Sequence, residues 1–284
     1  MKKKLLVLVL MFMFALVFTP GTFAGDDLEL NMENFWGPIP PGQTYQDMTP
    51  EQIMMANQNM NDAVDPVLDM FGFLAGGGLY NSGDVHGIAG FDVGVKLTAM
   101  QVADDQLPFL PDLSSNYQYG PLQGQSVIPL PMLHAGVGLF GNFEVLGRFF
   151  SYPMGDEGNL TLIGIGAKYG LLQNFALPKV AVVAAYHYLT LPDEYDFASV
   201  NSMSAAVVVS KGFPIISVYG GLGLDHVNLE IDLDPIPYKE KFNKTNFRGN
   251  VGLKLTPFPF LFINLDYNFG AVEGLSMGAG LSIR

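Results

Sequence analysis

The stretch 247–269, FRGNVGLKLTPFPFLFINLDYNF, decides the fold. In its first ten residues, apolar side chains such as Val251 and Leu253 stand at odd positions, and polar or charged ones such as Arg248 stand at even positions. After the Pro-containing connection 257–260, the same alternation continues to the end of the stretch. Because successive side chains of a β-strand point to opposite faces, this period of two residues predicts two strands joined by a tight turn.

Ten segments of this kind run from residue 87 to the end of the chain. Short connections alternate with longer polar ones, as expected for the periplasmic turns and external loops of an outer-membrane barrel. The sequence therefore predicts an all-β protein, an antiparallel outer-membrane β-barrel of ten strands with one N-terminal amphipathic helix. The predicted strands are Gly87–Thr98, Leu133–Phe140, Phe143–Phe150, Leu160–Tyr169, Val180–Leu191, Met203–Ser210, Ile215–Ile231, Phe247–Thr256, Leu261–Phe269 and Leu275–Ile283.

Two alternatives to this architecture stay open at the level of sequence. Met70–Tyr80 also has the composition of a strand, which either pairs with a strand from the N-terminal arm to give twelve strands in place of ten or lies inside the barrel. A soluble β-sandwich shows the same alternation, with the aromatic residues in its core. Aromatic side chains expected at both rims of the lipid-facing surface favour the membrane barrel.

The N-terminus has the features of a secretion signal. Lys2–Lys4 form a basic region, Leu5–Phe18 is apolar throughout, and Thr22-Phe23-Ala24 fits a cleavage site with small residues. We therefore predict export to the bacterial outer membrane. The predicted organisation is a signal peptide at 1–24, an acidic, Pro-rich arm at 25–48, an amphipathic helix at 49–69 and the β-barrel at 70–284.

The predicted helix begins with Thr49 as N-cap and Pro50 at the first helical position. Apolar residues then recur at three- and four-residue steps, and Pro66 is expected to end or kink the helix. Packing on the periplasmic mouth or on the arm, a plug inside the lumen and binding to the membrane surface are the three possible placements. The polar face lacks Lys and Arg, which disfavours the last of these.

Charged residues on the strands share the inward parity, because a Lys or Arg facing the bilayer midplane costs about 2–4 kcal/mol. This arrangement predicts a porin-like barrel that binds or passes a small solute. The alternative is a structural or surface-interaction barrel whose lumen is closed by salt bridges. The predicted luminal residues are Asp92, Lys96, Glu144, Arg148, Lys168, Arg248, Lys254 and Asp266.

The sequence contains few signals for catalysis or for metal binding. The chain has no cysteine, which excludes thiol catalysis, Cys-ligated zinc and disulfides, and its four histidines lack metal-ligand spacing. We predict no enzyme activity, no cofactor and no metal. The net charge of −13 disfavours a nucleic-acid partner. Outer-membrane lipid is the expected environment, and acidic clusters such as Asp104-Asp105 could bridge to lipopolysaccharide phosphates through divalent cations.

The Gly-punctuated strands, the helix before them and the run HAGVGLF at 134–140 resemble a bacterial outer-membrane barrel family known only as a domain of unknown function. The resemblance covers residues 50–284 and implies a fold and a location without an activity. More distantly, the layout is similar to long-chain fatty-acid transporter barrels, which also have an N-terminal segment in the lumen. The chain ends Leu281-Ser-Ile-Arg284, without the usual terminal aromatic residue, so the barrel assembly machinery is expected to recognise Ile283.

Overall fold

The computed structural model describes residues 49–102, 126–153, 158–174, 176–191, 198–233 and 238–283. The predicted signal peptide and arm, and the acidic clusters at 104–105, 156–157 and 193–196, lie outside these residues. In the part of the chain so described, one helix precedes ten strands. They are α1 (Pro50–Gly76), β1 (Phe91–Val102), β2 (Ser126–Gly138), β3 (Phe143–Pro153), β4 (Asn159–Leu172), β5 (Lys179–Thr190), β6 (Ala198–Gly212), β7 (Ile216–Leu233), β8 (Tyr238–Phe258), β9 (Leu261–Gly270) and β10 (Gly274–Ile283).

The ten strands form a closed barrel in which every strand pairs antiparallel with its neighbours in sequence and β1 pairs with β10. At this seam Phe91 lies opposite Ile283, and Met100 lies opposite Gly274. Closure gives every strand two hydrogen-bonded neighbours, so no open edge is left to meet lipid. The predicted ten-stranded antiparallel barrel with one helix, the fold of outer-membrane barrels, is confirmed.

Side chains alternate between two environments along the strands. In β9, Asn264 and Asp266 are buried, whereas Leu265 is 50% exposed and Tyr267 is 41% exposed. The same pattern repeats around the ring, so the outer face is apolar and the inner face is largely polar. Within the described residues, no helix combines the length and the apolar character that a membrane crossing requires.

Helix α1 is longer than predicted. The sequence predicts a helix over 49–69 that Pro66 ends or kinks, but α1 continues through Pro66 to Gly76. Met70–Tyr80 therefore forms no strand, and the twelve-strand alternative is wrong. A proline removes one helical hydrogen bond, but burial of Leu68 and Phe73 in apolar clusters that include the barrel wall holds the turns around it.

The barrel wall begins at Phe91, so the predictions of a barrel from residue 70 and of a first strand from Gly87 are wrong. Residues 87–90 form a turn in which Gly90 N donates to Gly87 O at 2.9 Å. Ala89 in this turn has a φ of 61°, which is uncommon for a residue with a Cβ. The turn redirects the chain from the lumen into β1.

The connections distinguish the two ends of the barrel. The short-turn end has the connections 139–142, 173–178, 213–215 and 259–260. The long-loop end has the connections 103–125, 154–158, 191–197, 234–237 and 271–273. At the long-loop end, β7 and β8 extend as a hairpin of 18 and 21 residues. Most of Asp232–Thr245, which the sequence predicts as a loop, is therefore strand.

Candidate functional site

All eight charged residues predicted to line the lumen are buried on the inner face of the barrel. Each is at most 5% exposed, although the strands that carry them are exposed to the outside at alternate positions. The inward parity therefore holds for the whole set. These residues are Asp92, Lys96, Glu144, Arg148, Lys168, Arg248, Lys254 and Asp266.

The luminal residues form separate contacts, and Lys254 does not pair with Asp266 on the neighbouring strand. Lys254 Nζ instead donates to Asn81 Oδ1 at 3.0 Å and lies 4.9 Å from the centroid of the Phe262 ring. Asp266 accepts a hydrogen bond from the Tyr219 hydroxyl at 2.6 Å. Asn81 belongs to the segment after α1, so the contacts of Lys254 depend on chain that enters the lumen.

The inner half of α1 packs against the barrel wall at the long-loop end. Val64 and Leu68 are fully buried in a cluster with Val227 of β7 and Phe242 of β8. Phe73 of the next turn is buried beside Met100, near the end of β1. The apolar side chains that the structure describes on this helix, from Val64 onward, therefore pack against the inner side of the barrel wall.

The C-terminal end of α1 is held by Arg148 of β3. Its guanidinium donates to the carbonyl of Ala75 and, at 2.7 Å, to the carbonyl of Gly77. The carbonyls of a last helical turn have no helical partners, so a cation that donates to them stabilises the helix end. Arg148 Nη1 also lies 3.3 Å from His187 Nε2, which fixes the guanidinium to β5.

A bidentate ion pair lies beside the same helix end. Arg248 Nε and Nη2 are 2.6 and 3.2 Å from the two carboxylate oxygens of Asp225, and both residues are buried. The pair fits closely against Gly76, where a Cβ would lie 2.8 Å from Arg248 Nη2. Glycine at this position therefore lets the helix approach the charged wall.

The segment after the helix fills the remaining lumen. The Tyr80 hydroxyl donates to Asn250 Oδ1 at 2.7 Å, and Gly83 N donates to Ser210 Oγ at 2.9 Å. Near the short-turn end, His86 Nδ1 lies 3.0 Å from Glu144 Oε2. We call residues 64–90, which occupy the lumen from one end to the other, the plug.

The outer part of α1 contacts the projecting β7–β8 hairpin. Lys244 Nζ lies 2.9 Å from Asp65 Oδ2 and 3.0 Å from Asp69 Oδ1, and Asn246 Nδ2 donates to Asp69 at 2.7 Å. Partial burial lowers the pKa of Lys244, but the hydrogen bonds to the two carboxylates have the larger combined effect. The pKa of Lys244 is therefore raised above its ordinary value. Lys244 therefore stays charged and links the helix to the hairpin.

Sequence reasoning missed most of the neutral polar residues that complete the lumen. Three of them, on β8 and β9, share strand parity with a predicted luminal charge, and that parity could have indicated them. The other four lie on β2, β5 and β7, where no luminal charge was predicted to mark the inner face. His226, the neighbour of Asp225 on β7, has its side chain on the opposite face of the sheet and contacts Thr245 at 2.7 Å. The missed luminal residues are His134, His187, Tyr219, Asp225, Asn250, Asn264 and Asn268.

The sequence matches one family. The family is described as a family of unknown function (DUF6588), and the match spans residues 112–283, more than half of the chain. No curated protein matches the chain. The more distant resemblance to fatty-acid transporters stays a prediction.

Several solved structures are similar in fold at low sequence identity. The attachment invasion locus protein Ail of Yersinia pestis is 14% identical, with 69% of this chain and 99% of Ail covered and a TM-score of 0.28. The N-terminal β-barrel domain of Pseudomonas aeruginosa OprF is 15% identical, with 68% and 99% covered and a TM-score of 0.30. The translocator domain of the autotransporter NalP from Neisseria meningitidis is 13% identical, with 78% and 98% covered and a TM-score of 0.42.

Proposed function

We propose a function for this chain, which belongs to the family of unknown function DUF6588, from the geometry of its barrel and plug. The protein is an outer-membrane β-barrel that its own N-terminal segment closes. It holds helix α1 at the external rim, and it acts at the cell surface as a structural or surface-interaction protein. Passage of a small solute, the other prediction from the sequence, requires the plug to move.

The exposed face supports the membrane location. Large apolar side chains are 40–60% exposed at alternate positions around the ring, such as Val251 at 57%, Leu265 at 50% and Ile163 at 49%. Soluble proteins rarely expose an apolar surface of this extent, because water contact with it is unfavourable. A bilayer removes that cost, and the closed ring leaves no edge unpaired in hydrocarbon.

The observation that carries the closed state is the continuous set of buried contacts between plug and wall. Leu68 and Phe73 pack at the long-loop end, Tyr80 hydrogen-bonds Asn250 near the middle, and His86 contacts Glu144 at the short-turn end. The polar contacts give hydrogen-bond partners to buried groups that would otherwise lack them, and the apolar contacts remove apolar surface from water. The plug is therefore a stable part of the barrel core.

The path of the plug supports presentation of α1 at the cell surface. Outer-membrane barrels place short turns in the periplasm and long loops outside. Glu51 at the start of α1 is exposed, and the helix then packs against wall residues of the long-loop end. Ile88, at the other end of the plug, is exposed beside the short turns. The N-terminal end of α1 therefore lies on the external side of the barrel.

Cysteine labelling tests this orientation, and the cysteine-free chain makes it specific. We expect Glu51→Cys to react with a membrane-impermeant maleimide in intact cells. Ile88 is 79% exposed in the wild-type protein. The variant Ile88→Cys should react only after the outer membrane is permeabilised. Labelling of Ile88→Cys without Glu51→Cys in intact cells would show that the orientation is reversed.

Single-channel conductance in planar bilayers tests the closed state. We expect the full-length protein to give no stable conductance steps. Gly77→Val should give steps, because a Cβ at Gly77 lies inside contact distance of Thr98 and 2.9 Å from the Phe73 carbonyl, and so forces the plug from the wall. Gly147→Val is the matched control, since a Cβ there meets no atom within 4 Å. Stable steps from the wild type would overturn the closed state and favour solute passage.

A further inference from the structure

A cluster of carboxylates and imidazoles lies inside the barrel near the short-turn end. Three adjacent strands contribute to it. Asp92 of β1 lies directly opposite Gly136 of β2, His134 precedes Gly136 by two residues on the same face, and Glu144 of β3 lies opposite Gly138. The register therefore brings two carboxylates and one imidazole around Gly136. The plug adds His86, the fourth member of the cluster.

The distances within the cluster are those of groups that can share one ion. One ligand atom from each of His86, Asp92 and Glu144 lies within 4.8 Å of the others. His134 Nε2 lies 4.0 Å from Asp92 Oδ1. All four side chains are at most 6% exposed, so water does not screen their charges.

Asp92 is the member whose environment is incomplete. Its buried Oδ1 accepts no hydrogen bond from the part of the chain that the structure describes. Other buried luminal carboxylates have donors, as Asp225 has Arg248 and Asp266 has Tyr219. A buried carboxylate oxygen without a partner is costly, so this atom requires a cation or a proton.

The carboxylate oxygens of the cluster lie around the space above Gly136, where a cation could bind. A Cβ at Gly136 would lie inside contact distance of Asp92 Oδ1 and 2.9 Å from Glu144 Oε1. Two carboxylate oxygens thus converge on Gly136, an inward position of β2 that has no side chain. Lys168 Nζ lies 3.0 Å from the other Glu144 oxygen, Oε2.

We propose that Asp92, Glu144, His134 and His86 bind one divalent transition-metal ion such as Zn²⁺. Imidazole nitrogens together with carboxylate oxygens are ligands that zinc uses, whereas Ca²⁺ takes six to eight oxygen ligands and Mg²⁺ keeps an octahedral shell. Outer contacts are in place to orient the ligands. Ser282 Oγ lies 3.1 Å from His86 Nε2, and Lys168 contacts Glu144.

The origin of the four ligands gives the ion a role in the fold. His86 belongs to the plug, whereas the other three residues belong to the wall. A bound ion therefore joins plug and wall at the periplasmic end. This link is additional to the hydrogen bonds and apolar contacts that close the barrel in the absence of the ion. The site goes beyond the proposed surface role, and its failure would leave the orientation and the conductance predictions intact.

Titration of the chelator-treated, full-length protein in detergent with Zn²⁺ tests the site. We expect calorimetry to give one bound ion per chain. We also expect the midpoint of thermal unfolding to be higher with Zn²⁺ than without it, because a ligand that binds only the folded state stabilises that state. Asp92→Asn and His134→Gln should each lower the affinity at least about 100-fold, which exceeds the usual effect of losing an outer contact.

The control is His226→Gln, which changes a histidine that contacts Thr245 on β8, outside the cluster. This variant should bind Zn²⁺ as the wild type does. If Asp92→Asn does not fold, His134→Gln alone decides the outcome. Absence of stoichiometric binding in the wild type overturns the proposal, and so does an affinity that both cluster variants leave unchanged.

Discussion

Leu265→Arg is expected to reduce the folded protein in the outer membrane to a small fraction of the wild-type amount. Leu265 lies at the middle of β9 and is 50% exposed on the outer face of the barrel. An arginine at the bilayer midplane of a barrel costs about 2–4 kcal/mol. The measurement is the amount of heat-modifiable, folded protein in the outer-membrane fraction, together with urea unfolding in lipid vesicles.

Phe260→Arg is the control for this substitution. Phe260 is 55% exposed on the same outer surface, but it lies in the connection between β8 and β9 at the short-turn end. The cost of a charge near the interface falls to about 0–1 kcal/mol. The same charge at two depths should therefore give different amounts of folded protein. Equal loss from both variants would contradict the membrane depth that we assign to β9.

The barrel wall could be predicted because lipid imposes one simple rule on every strand. A charge on the outer face is costly, so the alternation of Lys254 with Leu253 and Leu255 already fixes which side is the lumen. The strand count followed from the alternating lengths of the connections. The long β7–β8 hairpin departs from this rule because it continues beyond the ring, where charged side chains on either face are tolerated.

The plug could not be predicted in the same way. Its stability comes from contacts with distant strands, such as Tyr80 with Asn250 and Arg148 with the carbonyls of Ala75 and Gly77. Local signals gave the wrong end for the helix, because burial of the turns around Pro66 outweighs the hydrogen bond that the proline removes.

The proposed metal cluster was also invisible in the sequence. Its four residues come from four separate segments, so no spacing between them forms a motif. The strands on which three of them lie were predicted, but the pairing registers that bring those residues together became available only with the closed barrel.

Arg248→Met is expected to cost about 3–5 kcal/mol of unfolding free energy, because it leaves the Asp225 carboxylate buried without its partner. Asp225 is 2% exposed, and its two oxygens accept only this guanidinium among the hydrogen bonds found in the described residues. Both side chains are at most 5% exposed, and Gly76 of the plug lies against them. The measurement is urea unfolding of the full-length protein in lipid vesicles.

The same two strands supply the control. Lys241 and Glu230 form an ion pair of 2.8 Å between β7 and β8, but the lysine side chain is 68% exposed. Lys241→Met should therefore cost only about 0–1 kcal/mol. The double variant Arg248→Met with Asp225→Leu should recover most of the loss, because removing both buried charges ends the desolvation cost that the single variant leaves. If Arg248→Met costs no more than Lys241→Met, water hydrates the Arg248–Asp225 pair, and the plug does not close the lumen at this level.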